Sequence, residues 1–272
     1  MASIKELIKT RKSVRTFNGE PLTQEARDKM EAFFAGAKTP FGVPVTFRIL
    51  DAKEHGLSSV VIIGADTYFA AKAPREPHFE LSLGYAFEAA CLYAWSLGLG
   101  SVMLAASLSR AAFEKAMEVG ENEVMPVGSP IGWPAEKRSL RETVMRKGIK
   151  ADTRLPFETL FFDGEFGVAL TPEKAGVFAD ALEGMRLAPS AANKQPWRAV
   201  KQGDRVHFYE ARSMKDNALG DVQKVDLGIG LSHFELVLQE NGKAGAFTFA
   251  DPGLDVPENT EYIVTYELHD RA

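Results

Sequence analysis

Two long apolar segments, each opened and closed by glycine, constrain this chain more than any other feature. Leu83-Gly84-Tyr85-Ala86 begins a predicted helix that ends at Gly98, and Leu227-Gly228-Ile229-Gly230 begins a second that ends at Gly242. Gly84 and Gly228, Leu92 and Leu236, and Gly98 and Gly242 are each separated by 144 residues. The segments upstream repeat as well. From Thr23 to Lys38 apolar residues recur at helical spacing (Ala26, Met30, Phe33, Phe34, Ala37) ahead of a short strand candidate, Phe47 to Leu50. Thr171-Pro172-Glu173 is a helix start with threonine as cap and proline in the first turn, and it leads to a strand candidate at Trp197 to Val200. Thr23 and Thr171 lie 148 residues apart, close to the helix offset. Such orders also recur without common ancestry, but the repeated glycines favour an internal duplication with halves at 1–150 and 151–272.

The chain has 272 residues, 45% of them hydrophobic, which is ample for a packed core. A net charge of −5 argues against nucleic acid as partner. Cys91 is the one cysteine, so no disulfide can form within the chain, and its apolar helical setting reads as a core thiol. His55, His78, His207, His233 and His269 lack metal-ligand spacing, so no metal is expected. The opening segment is amphipathic without the apolar run of a secretory signal, which makes the cytoplasm the expected location. Leu81 to Leu104 contains Glu88, serines and glycines, and reads as a buried helix followed by a strand, with no membrane role.

The segment Ala188-Pro-Ser-Ala-Ala-Asn-Lys-Gln-Pro-Trp197 carries the most chemical information. Pro189 and Pro196 stiffen the backbone, Ser190, Asn193 and Gln195 offer short polar groups, and Trp197 offers an apolar lid. Such a loop suits a flat, polar-edged heterocycle, and it equally suits a turn with an anchoring tryptophan. Arg11-Lys12-Ser13-Val14-Arg15 is either an anion site or a solvated basic end to the first helix. Gly98 and Gly100 read as helix stop and tight turn, and no Gly-x-Gly-x-x-Gly fingerprint or Walker motif occurs.

The Pro189 to Trp197 string resembles the Pro-Ser-x-x-Asn-x-Gln-Pro-Trp signature of the FMN-dependent nitroreductase family, and Arg11 to Arg15 resembles its Arg-Arg-Ser-x-Arg element. The resemblance implies an α+β fold with a central, mainly antiparallel sheet flanked by helices, and with the helices at Leu83–Leu97 and Leu227–Asn241 packed together. It implies that Arg11 and Ser13 hold the FMN phosphate, with Lys12 beside them and pointing to solvent, and that Arg15 faces the N1/O2 edge of the ring. Gly132-Trp133-Pro134-Ala135-Glu136-Lys137 resembles a further family segment, whose trailing arginines make Arg138 and Arg141 phosphate candidates. Leu97 to Ala106 is similar to the family's helix end and strand, so Ala105 or Ala106 would present a backbone amide to flavin N5. Some relatives carry an acid and a glycine there. Pro189, Ser190, Ala191, Asn193, Gln195 and Trp197 would border the flavin.

Family members are homodimers with flavin at the subunit interface, so a fused duplicate would build that interface inside one chain. The first half's loop, Lys38 to Phe47, lacks the Ser, Asn and Gln, and the second half's start, Arg154 to Phe157, lacks the basic pair. One composite site per chain is therefore expected, in a monomeric pseudo-dimer for which further dimerisation stays open. The implied activity is hydride transfer from NADH or NADPH to nitroaromatic or quinone-like small molecules by a ping-pong cycle. The alternatives are a non-catalytic flavin-binding protein, as sensor or store, and a related flavoenzyme such as a reductive dehalogenase.

Overall fold

The structure, a computed structural model, describes residues 2–269; Met1 and residues 270–272, which the expected halves include, lie outside the described residues. The chain begins with α1 (Ile4–Thr10), started by a capping box in which Ser3 Oγ accepts from the Glu6 amide and Glu6 accepts from the Ser3 amide. Then follow α2 (Gln24–Gly36), β1 (Thr46–Asp51), α3 (Ala52–His55), β2 (Thr67–Pro74), α4 (Phe79–Ser96), β3 (Gly100–Ser101), α5 (Arg110–Ala116), β4 (Glu123–Gly132) and α6 (Leu140–Gly148). The second part holds α7 (Phe157–Leu160), β5 (Phe161–Asp163), α8 (Pro172–Ala175), α9 (Ala179–Leu187), β6 (Trp197–Gln202), β7 (Arg205–Ala211), α10 (Val222–Glu240), β8 (Gly245–Thr248) and β9 (Thr260–Leu268).

The fold is α+β, and every strand pair except the parallel β5–β6 is antiparallel. The strands do not form one central sheet. They divide into two, with orders β1-β2-β4-β3 and β5-β6-β7-β9-β8. Apart from the added edge strand β5, the second sheet repeats the first: β6, β7, β8 and β9 stand where β1, β2, β3 and β4 stand, and a long helix separates the second strand from the third in both.

Those two helices, α4 and α10, pack against each other along their lengths between the sheets. Residues are buried all round both, as expected of central helices. They start at Phe79 and Val222, four and five residues before the expected starts at Leu83 and Leu227, where the buried polar residues Ser82, Gln223 and Asp226 interrupt the apolar pattern. Gly84 and Gly228 meet at the crossing. A Cβ on Gly84 would lie 2.0 Å from the Val225 carbonyl oxygen, and one on Gly228 would lie 2.3 Å from that of Leu81. The glycines set 144 residues apart in sequence thus allow the two backbones to touch.

The halves interlock elsewhere. Leu7 and Ile8 of α1 pack into the core formed by Phe178, Leu182, Phe234 and Leu238 of the second part. Thr171 caps its helix as expected, with Oγ1 accepting from the Lys174 amide at 3.4 Å, but that helix stops after one turn and resumes at Ala179. Gly100 has a packing role rather than a turn: a Cβ there would lie 2.8 Å from Cβ of Val14.

Candidate functional site

Residues 13–17 run extended beside β3, with the Val14 amide bonded to the Ser101 carbonyl at 2.9 Å and the Phe17 amide to that of Ile63 at 2.8 Å. Extended chain sends alternate side chains to opposite faces. Val14 is buried against Gly100, while Arg11, Ser13 and Arg15 line a cavity of about 340 Å³. Arg146 of α6 and Arg154 join them on its floor, and the exposed Lys9, Lys12 and Arg138 stand at its rim.

The floor is neutralised only in part. Arg11 is compensated: its Nε is 2.9 Å from Oε1 of Glu88, both side chains being buried, and the same oxygen is 2.9 Å from Nε2 of His233. His233 Nδ1 faces the Gly184 carbonyl at 3.0 Å, which can only accept, so that nitrogen carries a proton. Arg146 pairs with the exposed Asp152. Arg154, by contrast, donates only to neutral acceptors among the described residues: the carbonyls of Ala151, Thr153 and Leu187 and Oδ1 of Asn193. Burial pushes its guanidinium below the usual arginine range, and neighbouring Arg11 adds to this. Arg15 is pushed down in the same way, opposed by Glu142, and its buried Nε has no partner among the described residues. Buried cations facing neutral partners make a site for an anion.

A second cavity of about 390 Å³ adjoins the first and shares Arg11, Ser13, Pro189 and Ser190 with it. Its other walls are mostly apolar: Met103, Leu104, Ala105 and Ala106 on one side, Ala191, Ala192 and Met214 on another, and Val222 and Ile229 of α10. Asp226, 3% exposed, adds a carboxyl to this wall. The amides of Ala105 and Ala106 donate to no group among the described residues.

The loop between the cavities is held under strain. Ala192, Asn193 and Gln195 have φ of 47°, 56° and 50°, the left-handed region that costs non-glycine residues about 1 kcal/mol or more each. Its polar side chains turn inward to hold that shape. Asn193 Nδ2 donates to the Lys150 carbonyl at 2.8 Å, Gln195 Oε1 accepts from the Leu155 amide at 2.8 Å, and Ser190 Oγ accepts from the Gln195 amide at 2.9 Å.

The predicted residues therefore separate into groups. Arg11, Ser13, Pro189 and Ser190 come together at the junction of the cavities, Ala105, Ala106 and Ala191 line the apolar slot, and Asn193 lines the basic cavity with its amide already engaged. Gln195 and Trp197 line neither cavity. Gln195 is a buried latch, and Trp197, fully buried beneath the loop, is a core anchor rather than a lid. Arg15 lines the basic cavity and not the slot. Arg138 sits at the cationic rim with Lys12, whose Nζ lies 6.0 Å from the Trp95 ring. Arg141 is exposed on α6, outside both cavities, because five residues of helix put it on a different face from the buried Arg146.

Sequence reasoning misses Glu88, His233, Arg146, Arg154 and Asp226. Glu88 carries a usable signal, since a carboxylate in the apolar body of a helix must find a partner when buried. Arg154 stands where the second half lacks a basic pair, yet it supplies one floor cation. Among the described residues, no group of three or more His, Cys, Asp or Glu could hold a metal ion, and no helix is long and apolar enough to cross a membrane.

A family model and a solved structure that spans nearly the whole chain agree on the fold. The profile of a family described as "Putative TM nitroreductase" matches residues 3–238. A search of the curated proteins finds no match. Among solved structures, a "putative nitroreductase" from Thermotoga maritima aligns over 98% of this chain and 93% of its own, at TM-score 0.64 and 20% identity. A nitroreductase with bound FMN from Bacteroides fragilis covers 52% of this chain and 92% of its own, at TM-score 0.42 and 18% identity.

Proposed function

Because the chain belongs to the TM nitroreductase family, we propose that it is an FMN-dependent oxidoreductase that takes hydride from NADH or NADPH and reduces nitroaromatic or quinone-like small molecules by a ping-pong cycle. The observation that carries this reading is the pair of adjoining cavities, one cationic and one apolar, joined through Arg11, Ser13, Pro189 and Ser190. A flavin mononucleotide has the same division, a phosphate dianion on a ribityl arm and a flat ring. Arg15 and Arg154, half-buried and hydrogen-bonded to no carboxylate among the described residues, fit the phosphate, with Arg11 and Ser13 between phosphate and ring.

Bound FMN would supply the two-electron carrier, accepting and returning hydride at N5. The chain's own contributions are positional. Glu88 and His233 hold Arg11 in one orientation, so its remaining guanidinium nitrogens are aimed without a further entropy cost. The amides of Ala105 or Ala106 are free to donate to a ring nitrogen, and Ala191 and the strained Ala192 line the slot. The site takes residues from both parts of the chain, which supports one flavin per chain in a monomer.

The test is the visible spectrum of the purified protein after FMN is added and the excess removed, with flavin counted per chain, followed by NADH and NADPH oxidation with a quinone. One flavin per chain and turnover above that of free FMN are expected. Flavin retained without turnover would favour the non-catalytic flavin-binding alternative, and no retained flavin would overturn both.

A further inference from the structure

Asp226 is the one acidic side chain on the α10 face that borders the slot, one turn from Val222 and nearly one turn from Ile229. Each carboxyl oxygen lies 3.0 Å from the Ala191 amide nitrogen, the one hydrogen-bond donor among the described residues that reaches it. The charged groups around it are mostly of the wrong sign. Asp221 caps the same helix, and Glu210 of β7, fully buried, has neither oxygen hydrogen-bonded. Arg212 lies 3.0 Å from Asp221, 3.4 Å from Glu261 and 3.6 Å from Glu210, and Lys224 is engaged by Glu261 at 3.0 Å. Across the slot, Arg11 is bound to Glu88. Burial first, and then the like charges of Asp221 and Glu210, push the Asp226 carboxyl well above the usual carboxylate range, against the Ala191 hydrogen bond. A carboxyl in this setting holds its proton to a higher pH than an exposed one does, and the slot that it borders is where it can donate it.

We propose that Asp226 is the general acid for reduction of the acceptor, protonating a carbonyl or nitro oxygen of a substrate held in the slot. The proposal rests on the flavin-enzyme reading. Reduction of a quinone to a hydroquinone takes two electrons and two protons. Two electrons and one proton arrive as hydride from the flavin, itself reduced by the nicotinamide, and the second proton passes from Asp226 to the other quinone oxygen. The carboxylate left behind is reprotonated from solvent before the next cycle. The counterpart of Asp226 at the 144-residue offset is Ser82, which is bonded to Thr39 and has no ionisable proton at neutral pH.

The test compares Asp226→Asn with wild type as FMN-loaded full chains. Asparagine keeps the size and an oxygen for the Ala191 amide, and Asp226→Ser, which copies the residue at position 82, is a second isolable change. Four readouts are taken: flavin per chain, the rate of flavin reduction by NADPH without acceptor, the rate of flavin reoxidation by 1,4-benzoquinone, and the infrared carboxylic-acid band of the flavin-free protein at pH 7. Expected are unchanged flavin content and unchanged reduction, reoxidation slowed about 10²-fold or more with loss of its solvent isotope effect, and an acid band that loses its Asp226 component in both variants while the component from Glu210, raised to about 7, remains. Reoxidation at the wild-type rate, equal slowing of both half-reactions, or an ionised carboxylate in wild type would each overturn the acid role while leaving the flavin reading intact. Wild-type protein that holds no flavin would overturn the flavin reading itself.

Discussion

The two sheets share one strand order around one helix pair, yet of the two loop positions that this symmetry creates, only one is open. In the second part, the loop from Pro189 to Trp197 stands over a slot walled by Val222, Asp226 and Ile229. At the 144-residue offset, the first part has His78, Ser82 and Tyr85. Its loop carries Phe41, which is 5% exposed and meets the Tyr85 ring edge-on at 5.8 Å, with Phe247 at 5.2 Å. Tyr85 is bonded to Glu235, and His78 stacks on Phe249 at 3.7 Å. Aromatic side chains occupy the closed position where small and acidic ones border the open slot. A duplicated fold can thus keep its packing twice and its site once, because packing depends on backbone approach at the helix crossing while a site depends on a few side chains around an empty volume.

The largest test of this comparison strikes what both parts share. Gly84→Val and Gly228→Val would each drive a side chain into a carbonyl oxygen, 2.0 and 2.3 Å from the new Cβ. Each is expected to cost more than about 4 kcal/mol or to abolish folding, as read by thermal unfolding. A large difference between the two would show that the crossing is less symmetric than its geometry. Phe41→Ala strikes the closed position. It is expected to lower stability by about 3 kcal/mol without adding a second flavin, since the counterparts of Arg11, Ser13 and Arg15 do not stand beside that loop in the first cavity, which adjoins Pro189. Two flavins per chain in this variant would break the distinction between the open and closed positions.

A third test uses Glu210, which the second part buries with neither carboxyl oxygen hydrogen-bonded among the described residues. Burial and the like charge of Asp221 raise the Glu210 carboxyl to about 7. Below the unfolded value near 4.5 both states hold the proton and Glu210 costs nothing; as pH rises through 7 the folded state bears the full difference. Glu210→Gln is therefore expected to stabilise the protein by about 3 kcal/mol at pH 8 and to change little at pH 4, measured by denaturant unfolding at both. Equal effects at both pH values would refute the assignment. The smallest effect belongs to the strained loop, where Ala192→Gly is expected to raise stability by up to about 1 kcal/mol by relieving a positive φ, offset by the entropy of glycine in the unfolded chain. A loss would mean that the Ala192 methyl, on the slot wall, matters more than the strain.

Much of this was legible residue by residue. Alternation in the extended segment lets Arg11, Ser13 and Arg15 share a face, and the helix caps at Thr23 and Thr171 follow from side chains next to their own amides. The polar groups of the Pro189 loop were legible as hydrogen-bonding groups but not in direction. Asn193 and Gln195 turn toward residues 150–155, which nothing local in the chain foretells. Trp197 follows β6 into the core because its large apolar surface is more stable beneath the loop than over it.

The sequence alone determined the repeat, the glycine pair, and the division of basic element and Pro/Ser loop between the two parts, because spacing and residue type are local properties. Only the tertiary structure decided that the strands form two sheets, that Glu88 and His233 hold Arg11, that Arg154 rather than Arg141 joins the cationic floor, and that Asp226 faces the slot. Each of these depends on which side chains meet across the α4–α10 pair, and contacts between residues more than a hundred positions apart are set by packing rather than by any local pattern.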